Sequence, residues 1–226
     1  MATSYSVQHL GEVPSTQELA SDRFESSPLL VTAAAQTAGR GRSGAVWQSA
    51  PRALAASLAF RPGWAPEALP SITLVAGVSA TEVIDDASLK WPNDVLIGDS
   101  KVGGILAELS DGLVVIGFGL NLWWPDAPEG VAAVHSDDPG TEAGPRLAER
   151  WADSLLQMIE AGPKGWPIDA YRRLCTTLGC DITWEPNGSG RAIDVDRSGA
   201  LIVDTPSGRE RLTSGAVAHV RSTDDR

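Results

Sequence analysis

The chain reads as an α/β (α+β) fold, a larger domain of strands and helices followed by a small β-barrel. Three observations predict it. Extended runs and helical periodicities are interspersed through residues 1–178. Residues 179–226 switch to short strands punctuated by glycine, the pattern of a small barrel. An apolar fraction of 42% over 226 residues supports a buried core.

Taken in order, residues 5–10 alternate and predict a strand. Ser15-Thr16-Gln17-Glu18 has the capping-box pattern and opens a helix to about Arg23. Residues 29–35 and 53–60 are strands, and 66–85 carries helical periodicity. Residues 89–97, 102–109 and 113–120 are strands, with Asp111-Gly112 as a hairpin turn. Residues 122–140 form a long polar loop with prolines, a length more often functional or mobile than structural. Leu147, Trp151, Leu155 and Ile159 recur every four residues as an amphipathic helix, and 168–178 is a second. The barrel strands are 181–185, 191–196, 200–204, 209–212 and 217–221.

Lys90-Trp91-Pro92-Asn93-Asp94 ends a short apolar run. Lys101 follows seven residues after Asp94, then Gly103-Gly104-Ile105-Leu106. Pro92 restricts Trp91 to an extended conformation. Asn93 and Asp94 fall where strand gives way to turn. Two lysines and a carboxylate thus come from neighbouring strand ends, a set suited to a charged small molecule. A β-hairpin with a charged tip fits the same pattern.

Gln36-Thr37-Ala38-Gly39-Arg40-Gly41-Arg42-Ser43-Gly44 follows an apolar run. Such a loop can wrap phosphate, which arginine binds through paired hydrogen bonds. Gly39-x-Gly41-x-x-Gly44 formally matches the dinucleotide fingerprint, but no helix opens inside it and no acidic residue follows in a second strand. No P-loop sequence occurs.

Net charge is −11. An acidic chain repels nucleic-acid phosphates. The clustering of Arg40, Arg42 and Arg52 against that background favours a small anionic ligand in a pocket, and no DNA partner is expected. No apolar stretch approaches the ~18 residues of a membrane span, and no secretory signal opens the chain. Cys175 and Cys180 lack disulfide-framework or zinc spacing, and three scattered histidines suggest no metal centre. The expected compartment is the cytoplasm.

With both motifs in hand, the chain resembles the catalytic part of biotin protein ligases. The family's arginine-glycine loop reads Gly39-Arg40-Gly41-Arg42-Ser43-Gly44, ending in Trp47. Its lysine-tryptophan-proline-asparagine-aspartate signature reads Lys90 to Asp94 with Lys101, and its G-x-G-x-N segment reads Gly117-Phe118-Gly119-Leu120-Asn121. Its serine-threonine pair reads Ser15-Thr16. The motifs recur in family order between about residues 12 and 121. One departure is that Ala45 and Val46 stand where many relatives carry a further basic residue.

The resemblance implies a mixed-sheet catalytic domain of the biotin/lipoate ligase type with an SH3-like barrel. It implies a two-step ligation through biotinyl-5'-AMP, with ATP and biotin as substrates, Mg2+, and a biotin carboxyl carrier domain as partner. Arg40, Lys101 and Asp94 are its catalytic candidates. Arg40 would serve the α-phosphate and biotin carboxylate, Lys101 the same carboxylate, and Asp94 either the incoming amine or Mg2+. Biotin-binding candidates are Ser15, Thr16, Gln36, Arg40, Lys101, Gly103, Gly104, Gly117 and Gly119. The capping box also accounts for Ser15, and a sheet bulge or tight crossing for the glycines. ATP-binding candidates are Arg40, Arg42, Trp47, Asn93, Lys101, Asn121 and Arg221, with Trp47 equally readable as a core anchor. No helix-turn-helix precedes the first strand, so the monofunctional form is implied; a homodimer is left open. Lipoate or octanoate transfer on a related fold, or a non-catalytic sensor, are the rival readings.

Overall fold

The computed structural model describes residues 4–213, 215 and 217–219. Its centre is a seven-stranded mixed sheet in the order β1-β2-β3-β7-β6-β5-β4. Strand β1 (Ser6–Val13) and strand β2 (Leu29–Gln36) pair in parallel, joined by helix α1 (Thr16–Asp22). The remaining neighbours, β3 (Arg52–Phe60), β7 (Leu113–Trp123), β6 (Ser100–Ser110), β5 (Asp94–Ile97) and β4 (Ala87–Lys90), pair antiparallel.

Because side chains alternate across a strand, the sheet has two distinct faces. Leu54, Leu58 and Phe60 of β3 and Val114, Ile116, Phe118 and Leu120 of β7 face the main core. Helix α2 (Ile72–Thr81) and helix α3 (Ala143–Glu160) cover that face. Trp151 of α3 stacks at 5.2 Å on Phe118, and its indole N–H donates to the Ala76 carbonyl of α2. On the other face, Ala59 and Val115 join Leu29, Val31 and Ala20 of α1 in a smaller cluster.

Three sequence expectations are corrected. The helical stretch at 66–85 divides into a 3-10 segment, Pro66–Ser71, and α2. Pro70 lacks the N–H that an α-helix would use there. The strand expected over 89–97 is the hairpin β4/β5, with Lys90 opposite Asp94 and Pro92, which cannot serve a ladder, in the turn. The helix expected over 168–178 is α4 (Ile168–Leu174). It stops because Cys175 turns extended and bridges to Leu89.

The C-terminal region is an antiparallel sheet in the order β11-β10-β9-β8-β12, built from β8 (Asp181–Trp184), β9 (Gly188–Val195), β10 (Leu201–Thr205), β11 (Gly208–Leu212) and β12 (Val217–His219). Its apolar residues, among them Ile182, Val195, Leu201 and Val203, continue the main core without a break. It also grips the β4/β5 turn. The Trp91 indole N–H donates to the Gly199 carbonyl (3.0 Å). The Trp91 backbone N–H donates to Thr177 Oγ1, which meets His219 Nε2 at 3.2 Å.

Candidate active site

Cross-strand register makes a cavity on the α1 face. Gly104 of β6 lies opposite Gly119 of β7, which lies opposite Ala55 of β3. The next row on that face is Leu106, Gly117 and Ser57. Small residues at these neighbouring positions leave a space of about 340 Å3 above the sheet. Side chains fill its edges closely. A Cβ on Gly119 would meet the Trp47 ring at 2.7 Å, and one on Gly117 would meet Gln17 Oε1 at 2.7 Å. At Gly119 the absence of a side chain is a steric requirement, while at Gly117 a side chain would displace the end of Gln17.

One end of the cavity is charged. Arg40, Arg42, Asp94 and Lys101 all line it. Lys101 Nζ pairs with Asp94 Oδ1 at 2.6 Å and lies 5.8 Å from the centre of the Trp47 ring. Arg40 is engaged by carboxylates, with Glu18 at 2.5 Å and Glu108 at 3.9 Å. Arg42 donates to Asn93 Oδ1 (3.2 Å) and the Gly215 carbonyl (3.4 Å). Burial lowers its pKa, partly opposed by the charge of Asp94. The Lys101 backbone is fixed by the long loop, its N–H donating to the Gly130 carbonyl while its carbonyl accepts from Ala132.

The other end is neutral and buried, formed by Ser15, Thr16, Gln17, Gln36 and Ser57. The Thr16 N–H donates to Gln36 Oε1 at 2.8 Å, bringing the tip of β2 onto the start of α1. The Ser15 hydroxyl is buried without a partner and makes no helix cap. The capping box is therefore not formed. Glu18, its other half, is drawn away to Arg40 by the stronger charge-assisted contact.

The structure thus gathers Ser15, Thr16, Gln36, Arg40, Arg42, Trp47, Asn93, Asp94, Lys101, Gly104, Gly117 and Gly119 around one space. Gly103 is not among them. It lies on the core face, where a Cβ would meet the Gly119 carbonyl at 2.8 Å and Leu120 at 3.0 Å. Asn121 is buried beyond the cavity wall, its Nδ2 donating to the Ala132 carbonyl. Asn93 lines the cavity with its amide already engaged, since Nδ2 donates to the Ile105 carbonyl and Oδ1 accepts from Arg42. Arg221 lies outside the described residues. Gln17 and Ser57 are site residues that sequence reading missed. Period-two alternation of β3 was the available signal, for it puts Ser57 as the one hydroxyl on a face otherwise of alanines.

Comparison with known proteins follows this geometry. Residues 11–121 match the Biotin/lipoate A/B protein ligase family, and 187–220 match the Biotin protein ligase C terminal domain. The biotin--[acetyl-CoA-carboxylase] ligase of Mycobacterium tuberculosis is 36% identical over 208 residues, covering 82% of this chain and 77% of that protein. The Paracoccus denitrificans enzyme of the same name is 29% identical over 83% of this chain and 88% of its own length. The structure of a biotin protein ligase from Aquifex aeolicus in complex with biotin and ATP superposes with a TM-score of 0.80 at 27% identity, covering 96% of this chain and 99% of the other. The chain belongs to the biotin protein ligase family.

Proposed function

We propose that this chain joins biotin to a lysine of a biotin carboxyl carrier domain, using ATP and passing through biotinyl-5'-AMP. The observation that carries the reading is the polarity of one cavity. Lys101, Asp94 and Arg42 lie together beside the Gly104–Gly119 row, Arg40 lines the cavity between Glu18 and Glu108, and an uncharged, buried set of hydrogen-bonding side chains surrounds Gly117. A ligand with a neutral polar head, an apolar stem and a terminal carboxylate fits that sequence of environments. A nucleotide triphosphate then supplies the charge for the cations.

The residues divide the work accordingly. Ser15, Thr16 and Gln36 meet the ureido head. Gly104, Gly117 and Gly119 let the stem lie against the sheet. Arg40 and Lys101 neutralise the carboxylate and the α-phosphate as they approach, and they stabilise the charge that grows on the phosphorus oxygens. Arg42 holds the outer phosphates and is itself aimed by Asn93. Trp47 offers its ring to adenine. Asp94, now paired with Lys101, is placed to orient the incoming lysine amine once Lys101 turns to the carboxylate. Among the described residues, Asp94 is the only carboxylate on the cavity wall and no cluster of metal-ligating side chains occurs. These residues provide no protein cage for Mg2+, whose ligands would come from ATP and water.

The carrier domain, a cytoplasmic setting and a division into a ligase domain (1–178) and an appended small domain (179–226) belong to the same reading. The free thiols of Cys175 and Cys180 support the reducing compartment. The test is exchange of labelled pyrophosphate into ATP. Exchange is expected with biotin and not with lipoate or octanoate. Exchange driven by lipoate alone would refute the assignment.

A further inference from the structure

The β4/β5 turn is fastened from outside the cavity. Strand β4 ends the large sheet, and its outer edge meets the segment that joins α4 to β8. Cys175 bridges to Leu89 in parallel, and the Thr176 N–H donates to the Leu89 carbonyl at 2.8 Å. Continued as a regular parallel ladder, this pairing would bring the Trp91 N–H to the Thr176 carbonyl. The chain turns away instead, with the Cys180 N–H donating to the Thr177 carbonyl. The Thr177 hydroxyl takes the Trp91 N–H at 3.0 Å in place of a ladder carbonyl. Thr177 is completely buried and Trp91 nearly so. Pro92 has no N–H, so this is the last hydrogen bond the backbone can donate before Asn93.

We propose that Thr177, which is not among the residues lining the cavity, is a positioning residue for its phosphate-binding end. This rests on the ligase reading. Thr177 acts through the turn. The Trp91 ring is lodged in the core and tied to the Gly199 carbonyl, which fixes where the residue sits. The N–H bond fixes how the Lys90–Trp91 peptide plane is turned, and with it the direction in which the chain leaves through Pro92 to Asn93. Asn93 is clamped to Ile105, its carbonyl accepting the Ile105 N–H and its Nδ2 donating to the Ile105 carbonyl, both at 2.9 Å. Its Oδ1 then receives Arg42, and the next residue, Asp94, meets Lys101. With no acceptor at position 177, the buried Trp91 N–H is unpaired, which is costly, and the peptide regains a partner only by rotating. Rotation carries Asn93 off Arg42. The neutral residues of the cavity belong to other elements, α1 with its first flank, β2 and β3.

Two variants separate the hydroxyl from the shape of the side chain. Thr177→Val keeps the shape and loses the acceptor; Thr177→Ser keeps the acceptor and loses a buried methyl. Biotin-dependent pyrophosphate exchange gives the KM for ATP, and calorimetry without ATP gives the affinity for biotin. In Thr177→Val the KM for ATP should rise about 10-fold, because the turn holds its competent arrangement only part of the time. Biotin affinity should stay within about 2-fold, since that end of the cavity does not depend on the turn. Thr177→Ser should melt below the wild type yet keep its KM for ATP within about 2-fold, because the acceptor is retained. Thr177→Ala serves if Thr177→Val does not fold. In an Asn93→Ala background, where Arg42 has already lost this partner, Thr177→Val should add less than about 2-fold. A normal KM for ATP in the folded valine or alanine variant overturns the inference. So does a serine variant as impaired as the valine one, an equal loss of biotin affinity, or a full 10-fold effect in the Asn93→Ala background. A wild-type chain with no biotin-dependent exchange strikes the ligase reading, whereas failure confined to the variants strikes Thr177 alone.

Discussion

The two ends of the cavity are built on opposite plans. The neutral end rests on regular structure. Ser15 to Gln17 open α1, Gln36 closes β2, and Ser57 lies mid-strand in β3, with Thr16, Gln17, Gln36 and Ser57 joined by hydrogen bonds. The charged end hangs on a loop and a hairpin tip. The Arg40 and Lys101 side chains are 43% and 37% exposed, and both are engaged by carboxylates. One end is preorganised for a ligand that brings no charge. The other must exchange partners, giving up Glu18 or Asp94 as an anion arrives. Recognition of uncharged polar groups belongs in the first. The chemistry, which needs cations that follow a moving charge, belongs in the second.

The largest expected effect tests whether the charged end carries the reaction. Lys101→Met removes one donor while keeping the length of the stem. Biotin-dependent pyrophosphate exchange should drop about 10²–10³-fold, the usual cost of one preorganised donor. The melting temperature should barely move, since the Lys101–Asp94 pair is partly exposed and such pairs add little stability. Near-normal exchange in a folded variant would remove Lys101 from the machinery.

A smaller effect asks whether the carboxylates around Arg40 restrain it. Glu18→Gln frees the guanidinium from its shortest contact. ATP affinity should rise by about 2–3-fold at low salt, and the gain should vanish at high salt, as for any exposed pair. An unchanged affinity across both salt conditions would show that Arg40 exchanges partners at no cost.

The smallest effect concerns what holds the hairpin. Thr177 Oγ1 accepts the Trp91 N–H and lies 3.2 Å from His219 Nε2. Burial, and then the charge of Lys90, push the His219 pKa below its ordinary value of 6.5. The unfolded chain therefore takes up this proton first as pH falls. Stability should decline from about 6.5 down to the folded-state value and level off below it. Melting curves at pH 7.5 and 5.5 should show the decline in the wild type and a shallower one in His219→Gln, by about 2 °C or less. Identical slopes would show that His219 has no part in anchoring the turn.

The sequence spoke more clearly about the charged end than about the neutral one. Arg40, Arg42, Asp94 and Lys101 lie in dense local motifs, where glycine, proline and charge concentrate. Gln17 and Ser57 stand in an ordinary helix start and an alanine-rich strand. Their role comes from β3 crossing beneath α1, a contact 40 residues apart in sequence for Ser57 and Gln17. Ser15 misled for a local reason, because the serine-to-glutamate spacing of a capping box was present and tertiary ion pairing overrode it. Gly103 was grouped with Gly104, although adjacent residues in a strand face opposite ways. Core strands and α3 were legible from periodicity. Helix α2 was blurred, since it is buried nearly all round and shows no polar face.

The strict alternation along β7 has a consequence for how the chain is policed. Gly117 and Gly119 open the cavity, while Ile116, Phe118 and Leu120 fill the core behind them. Slipping β7 by one residue would exchange the two sets. The cavity would be plugged by a phenylalanine and the core would be hollowed by glycines in the same event. Such a misfold cannot persist as a sturdy but idle protein. It would be a loose chain, open to proteases, so the enzyme pool should contain few molecules that are folded and inactive.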